Sequence, residues 1–129
     1  MSLSAQIAPA LVVLVVEDEF FVRTDIADFL RGAGYEVLET GSGEDAVALC
    51  GSGMSIDIVF TDINLIGRLS GWDVAECCRA DRPDIPILYT SGKIIEPGRR
   101  VSGSMFLSKP YQRADVLIAC ERLLEKQLL

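Results

Sequence analysis

Histidine is absent from the 129 residues. That removes Ser-His-Asp and Cys-His nucleophile chemistry along with the commonest general base. Any reaction falls to carboxylates, lysine, hydroxyls or a metal ion. Cationic side chains are scarce: 12 Lys and Arg against 19 Asp and Glu leave a formal net charge of −7. The positive field that supplies most nucleic-acid affinity is missing, and direct DNA or RNA binding is not expected. Long apolar stretches are also missing. The run Leu11 to Val16 is far short of the roughly 20 residues a membrane span requires. No basic stretch leads into an apolar signal segment, so no membrane association and a cytoplasmic location are expected. Cysteine is confined to Cys50, Cys77, Cys78 and Cys120, with no CxxC pair and no histidine to complete a zinc site. All four fall in segments of helical character and read as small buried hydrophobes in a reducing compartment.

Half of the residues are apolar, enough at this length for one core without staples. Leu11 to Val16 is a continuous, mostly β-branched run, as in a strand buried on both faces. Phe20 to Leu30 reads as a helix closed by Gly32-Ala33-Gly34, Tyr35 to Thr40 as a more polar edge strand, and Ser42 or Gly43 opens a helix through Cys50. Ile56 to Thr61 is a second buried strand, followed by a loop from Asp62 to Gly71 and a helix from Trp72 to Ala80. Ile85 to Thr90 and Met105 to Ser108 are further strands, and Tyr111 to Gln127 is a long final helix. Strands alternating with helices imply a parallel sheet covered on both faces, with functional groups gathered beyond the carboxyl ends of the strands. Those ends carry Glu17, Asp18 and Glu19, then Asp62, then Thr90 and Ser91, then Lys109. Carboxylates converging on one mouth repel unless a cation sits among them, and all-oxygen ligation favours Mg²⁺ or Mn²⁺.

The fragments Val-Val-Glu17-Asp18-Glu, Thr-Asp62-Ile-Asn64, Tyr-Thr90-Ser-Gly and Phe106-Leu-Ser-Lys109-Pro110 stand at the ends of four strands in order. In this they resemble the receiver domain of two-component response regulators, of which the chemotaxis response regulator is a form without an output domain. The resemblance covers about residues 11–127 and leaves 1–10 as a disordered leader. It implies a flavodoxin-like, doubly wound (βα)5 fold with a five-stranded parallel sheet in the order 2-1-3-4-5 and helices on both faces. It implies that Asp62 accepts a phosphoryl group from a histidine kinase or a histidine phosphotransfer protein. Asp18, Asp62 and the backbone carbonyl of Asn64 would ligate Mg²⁺, Glu17 reaching it directly or through water. Lys109 would hold the carboxylate and then a phosphoryl oxygen. Thr90 would swing to bond another, with Phe106 as the aromatic switch residue and a cis bond before Pro110. The output would be a shape change acting on an effector or output domain, or a phosphorylation-dependent homodimer. No enzymatic activity is implied beyond aiding its own phosphorylation and dephosphorylation.

The chain departs from the family pattern in two places. The usual proline after the phosphoacceptor is missing, and Gly71 stands one residue further from Asp62 than expected, so a residue is inserted in the loop Leu65 to Ser70. The segment Lys93-Ile-Ile-Glu-Pro97-Gly98 breaks helical pattern, which predicts a short or irregular fourth helix. Gly92 leaves the mouth open to a water that Asn64 would orient, implying a short-lived phosphate. Rival readings fit less well. A phosphoaspartyl phosphatase needs a second Asp where Asn64 stands, and a nucleotide or flavin carrier needs a glycine-rich loop where Glu17-Asp18-Glu19 stand. A receiver-shaped interaction module that is never phosphorylated is the remaining alternative.

Overall fold

The computed structural model describes residues 9–93 and 97–127. Five parallel strands form one sheet: β1 (Val12–Val16), β2 (Glu36–Thr40), β3 (Ile58–Asp62), β4 (Ile87–Ser91) and β5 (Met105–Ser108). Their order is β2-β1-β3-β4-β5, the expected flavodoxin-like arrangement. Among the described residues four α-helices cover it: α1 (Phe20–Gly32), α2 (Gly43–Cys50), α3 (Gly71–Asp81) and α4 (Arg113–Lys126). Side chains alternate across the central strands. Val13, Val15, Phe60 and Leu88 meet Ile26, Leu30, Val116 and Leu123 of α1 and α4. Leu14, Val16, Val59 and Ile87 meet Ala46, Val74 and Ala75 of α2 and α3. The continuous apolar runs in β1, β3 and β4 are thus explained by burial on both faces.

The ladder starts later than the apolar runs suggest. Asp57 accepts the Val12 N–H on its carboxylate at 2.7 Å and donates its own N–H to the Val12 carbonyl at 2.8 Å. Ile56 is buried, but β3 begins only at Ile58. Pro86 has no N–H for the ladder. Its carbonyl accepts from Val59 at 3.0 Å, and β4 begins at Ile87. The α2 start follows the sequence, with the Ser42 hydroxyl accepting from Asp45 N–H at 3.1 Å. Ser70 and Asp73 form a reciprocal capping box at the start of α3.

The crossover between β4 and β5 is irregular, as expected: among the described residues it holds a 3-10 turn at Pro97–Arg99, while residues 94–96 lie outside the described residues. Arg99 reaches back to Asp73 at 3.0 Å and Glu76 at 2.7 Å on α3. Arg79 of α3 donates to the carbonyls of Ile85 at 2.7 Å and Ser102 at 2.9 Å. Tyr89, fully buried, accepts the Val101 N–H at 3.2 Å and packs on Trp72 with ring centroids 4.8 Å apart. Of the expected leader, residues 1–8 lie outside the described residues, and Pro9 and Ala10 are exposed without regular secondary structure.

The cysteines correct the sequence reading. Cys50 and Cys78 form a disulfide joining α2 to α3, their Cα atoms 5.6 Å apart. Cys77 is exposed and only Cys120 is a buried free thiol. Two helices packed side by side bring together residues 28 apart in sequence, a pairing that no local motif encodes. Constraining a loop of that size in the unfolded chain stabilises the fold by about 3 kcal/mol. Reduction, or Cys50→Ser, is therefore expected to lower the melting temperature by on the order of 10 °C. Thermal unfolding with and without reductant checks this, and coincident transitions would contradict it.

Candidate functional site

The register of the sheet sets the site. Asp62, last residue of β3, pairs with Thr90 of β4, and Thr90 with Leu107 of β5. β1 ends one residue before Glu17. The mouth beyond these ends gathers Glu17, Asp18, Asp62, Thr90 and Lys109, whose residues are spread over 93 positions of sequence. Glu17 and Asp62 are buried, their side chains only 7% and 8% exposed. The Lys109 ammonium lies 2.8 Å from Asp62 Oδ2 and 3.0 Å from Glu17 Oε1. The Lys109–Pro110 peptide is cis, as expected, and the Lys109 N–H donates to the Ser91 carbonyl at 2.9 Å.

The electrostatics follow from that geometry. Burial pushes the Glu17 carboxyl up, and the nearby Asp62 charge adds to the rise while the Lys109 hydrogen bond opposes it. Burial alone would lower the Lys109 ammonium, but its hydrogen bonds to Asp62 and Glu17 outweigh burial and hold it above the usual lysine range. Tyr111, stacked edge-on against Phe60, is pushed up to about 12 by burial and then by the Glu17 charge. The ammonium therefore stays charged and the phenol neutral at neutral pH.

Glu17, Asp18 and Asp62 each offer a carboxylate oxygen, and these lie within 4.8 Å of one another. A hard oxygen set of this kind suits Mg²⁺ or Mn²⁺, and one ammonium cannot offset three carboxylates. The Asn64 N–H donates to Asp62 Oδ1 at 3.2 Å. Its side-chain amide donates to the Ser91 hydroxyl at 3.0 Å, a partner that the sequence reading did not assign. The Thr90 hydroxyl donates to the Leu107 carbonyl at 2.9 Å and so is engaged with β5 instead of Asp62. Phe106 is half-buried against the α2–α3 side of the sheet, opposite Tyr89 in the register.

Several contacts had no signal in the sequence. Arg23 of α1 donates to the Glu17 carbonyl at 2.9 Å. The Ile66 N–H donates to Asp18 Oδ2 at 2.9 Å, and the Leu69 N–H to Glu44 Oε1 at 2.9 Å. Backbone donors in an irregular loop leave no residue pattern to read. Beside Lys109, a cleft of about 600 Å³ is lined by Phe21, Val22, Pro110 and Tyr111 together with Glu19, Asp25 and Arg113. Phe21 is 79% exposed.

An open parallel sheet with an acidic cluster and one lysine at the carboxyl ends of its strands defines a receiver-type α/β protein. Residues 13–121 match the response regulator receiver domain family, and the chain belongs to that family of two-component systems. The crystal structure of a response regulator receiver protein from Sinorhizobium medicae is 34% identical, with a TM-score of 0.87 over 90% of this chain and 95% of that one. The receiver domain of the hybrid histidine kinase CckA is 30% identical, with a TM-score of 0.76 over 88% and 98%. The transcriptional regulatory protein PdtaR of Mycobacterium tuberculosis is 33% identical over 84% of this chain and 54% of its own length. The chain thus spans about half the length of that curated relative. Among the described residues no helix is long and apolar enough to cross a membrane.

Proposed function

We propose that the chain accepts a phosphoryl group on Asp62 from a phosphohistidine of a histidine kinase or histidine phosphotransfer protein. The observation that carries this is the Lys109 ammonium bridging buried Asp62 and Glu17 at 2.8 and 3.0 Å, with Asp18 completing the acidic cluster. An Asp62 oxygen attacks phosphorus, the P–N bond to the donor imidazole breaks, and its electron pair stays on the leaving nitrogen. A carboxylate needs no general base, which suits a chain without histidine. Glu17, Asp18, Asp62 and the Asn64 backbone carbonyl would hold Mg²⁺, or Mn²⁺ in its place. Such an ion, when bound, neutralises charge on the phosphoryl oxygens.

Lys109 binds the developing charge in the equatorial plane and keeps its proton throughout. The new phosphoryl oxygens are acceptors that the Thr90 hydroxyl satisfies on leaving the Leu107 carbonyl. Phe106 then repacks beside Tyr89, and the β4–β5 side of the molecule changes shape. Hydrolysis by water resets Asp62. The cleft beside Lys109, lined in part by the exposed Phe21, supports docking of the donor protein next to the acceptor.

The shape change acts on an effector, an output domain or a second copy of the chain. Residues 11–127 form this receiver unit. The test is a single phosphoryl adduct that depends on Mg²⁺ and is lost in Asp62→Asn.

A further inference from the structure

We propose that Glu44, on the first turn of α2, is a positioning residue for Asp18 and acts through the loop 65–70. This rests on the reading of Asp18 as a metal ligand. The loop is the segment lengthened by one residue between Asp62 and Gly71. Its tip makes one polar contact with the acidic cluster: the Ile66 N–H donates to Asp18 Oδ2 at 2.9 Å. The Ile66 side chain is 76% exposed, so burial of that side chain does not hold the tip in place. The anchors lie further along the loop, and they converge on α2.

Glu44 Oε1 accepts the Leu69 N–H at 2.9 Å. The same carboxylate packs against Gly67, where an added Cβ would come within 2.8 Å of Glu44 Oε2. Gly67 has φ +106°, a left-handed conformation in which a side chain is strained. One residue before Glu44, Gly43 approaches Leu69 so closely that a Cβ would lie 2.8 Å from its carbonyl oxygen. The loop is thereby clamped onto the start of α2 by one carboxylate and two glycines, which fixes where the Ile66 N–H points. An amide that holds one oxygen of Asp18 restrains the carboxylate, and Asp18 so oriented would ligate the ion. Partners that orient a metal ligand in this way typically contribute tenfold or more to metal affinity.

The test is a Mg²⁺ titration of the full chain, followed by the backbone amide signals of Asp18 and Ile66 in nitrogen-15 correlation spectra. Glu44→Ala is expected to raise the Mg²⁺ dissociation constant about tenfold and to shift the Ile66 amide signal before any Mg²⁺ is added. Glu44→Gln keeps an oxygen acceptor for Leu69 and loses the charge, and it is expected to stay within about twofold of the wild type. Gly67→Ala should weaken Mg²⁺ in the same direction as Glu44→Ala. Glu44 is exposed, so its variants keep the core intact. A wild-type dissociation constant in Glu44→Ala overturns the proposal, as does a Glu44→Gln that weakens Mg²⁺ as Glu44→Ala does. If instead Asp18→Asn binds Mg²⁺ like the wild type, the reading of Asp18 as a ligand fails and this inference falls with it.

Discussion

Lys109→Met is expected to slow phosphoryl acceptance from a small acyl phosphate donor by about 100-fold, the usual effect of removing one preorganised donor to developing charge. The ammonium contacts both Asp62 and Glu17, so its loss also leaves two buried carboxylates facing each other without a cation. Breaking a buried ion pair from one side costs about 3 kcal/mol, and the metal-free variant should unfold at correspondingly lower denaturant. Mg²⁺ at the proposed acidic cluster would supply the missing positive charge, so the variant should gain more stability from Mg²⁺ than the wild type does.

The pH dependence has a definite sign. Lys109 is raised in the folded state, so its contribution is complete below the unfolded value near 10.4 and fades as pH climbs through the higher folded value. Above about pH 10.4, metal-free wild type should therefore lose stability more steeply than Lys109→Met. Denaturant unfolding across pH, with and without Mg²⁺, checks all three outcomes. A variant as stable as the wild type in the absence of metal would contradict the bridging role.

Gly71→Ala is expected to destabilise the fold by on the order of 3 kcal/mol. A Cβ there would overlap the Asp62 carbonyl oxygen and lie 2.8 Å from Ile63 Cα. Those atoms are backbone, so no rotamer change relieves the overlap. Gly71 N–H also donates to the Ile63 carbonyl at 2.8 Å, which ties the first residue of α3 to the residue after the candidate acceptor. Moving α3 away would disturb Val74, Ala75 and Cys78, all buried on that face. Because the colliding carbonyl belongs to Asp62, phosphoryl acceptance should fall together with stability. Urea unfolding should show a lower midpoint with an unchanged slope. A loss below about 0.5 kcal/mol, the range of an ordinary surface change, would contradict the close packing.

The sheet was legible because its signal is local. Leu11 to Val16 and Ile85 to Thr90 are apolar runs of the kind that doubly buried strands carry. Once strands alternate with helices, the carboxyl ends of the strands identify Glu17, Asp18, Asp62, Thr90 and Lys109 as neighbours. The broken pattern around Pro97 likewise announced the weak fourth crossover. What stayed hidden depends on packing between distant segments. Cys50 and Cys78 meet only because α2 and α3 lie side by side, and nothing in either helix marks the pairing. The capture of Asp18 by Ile66 and of Leu69 by Glu44 uses backbone donors in an irregular loop, where any residue type would serve. Tyr89 reads as one more strand aromatic, yet its hydroxyl holds the Val101 N–H in the crossover between β4 and β5.

Phosphoryl acceptance by Asp62 is the step on which every role proposed for the site depends. Its most direct test is the intact mass of wild type and Asp62→Asn after incubation with Mg²⁺ and a small acyl phosphate donor, read at several times. One phosphoryl adduct is expected on the wild type, absent without Mg²⁺ and absent from Asp62→Asn, with a decay that gives the lifetime of the phosphate. An adduct that survives in Asp62→Asn, or a wild type that takes up none from either a small donor or a phosphorylated histidine protein, would contradict it.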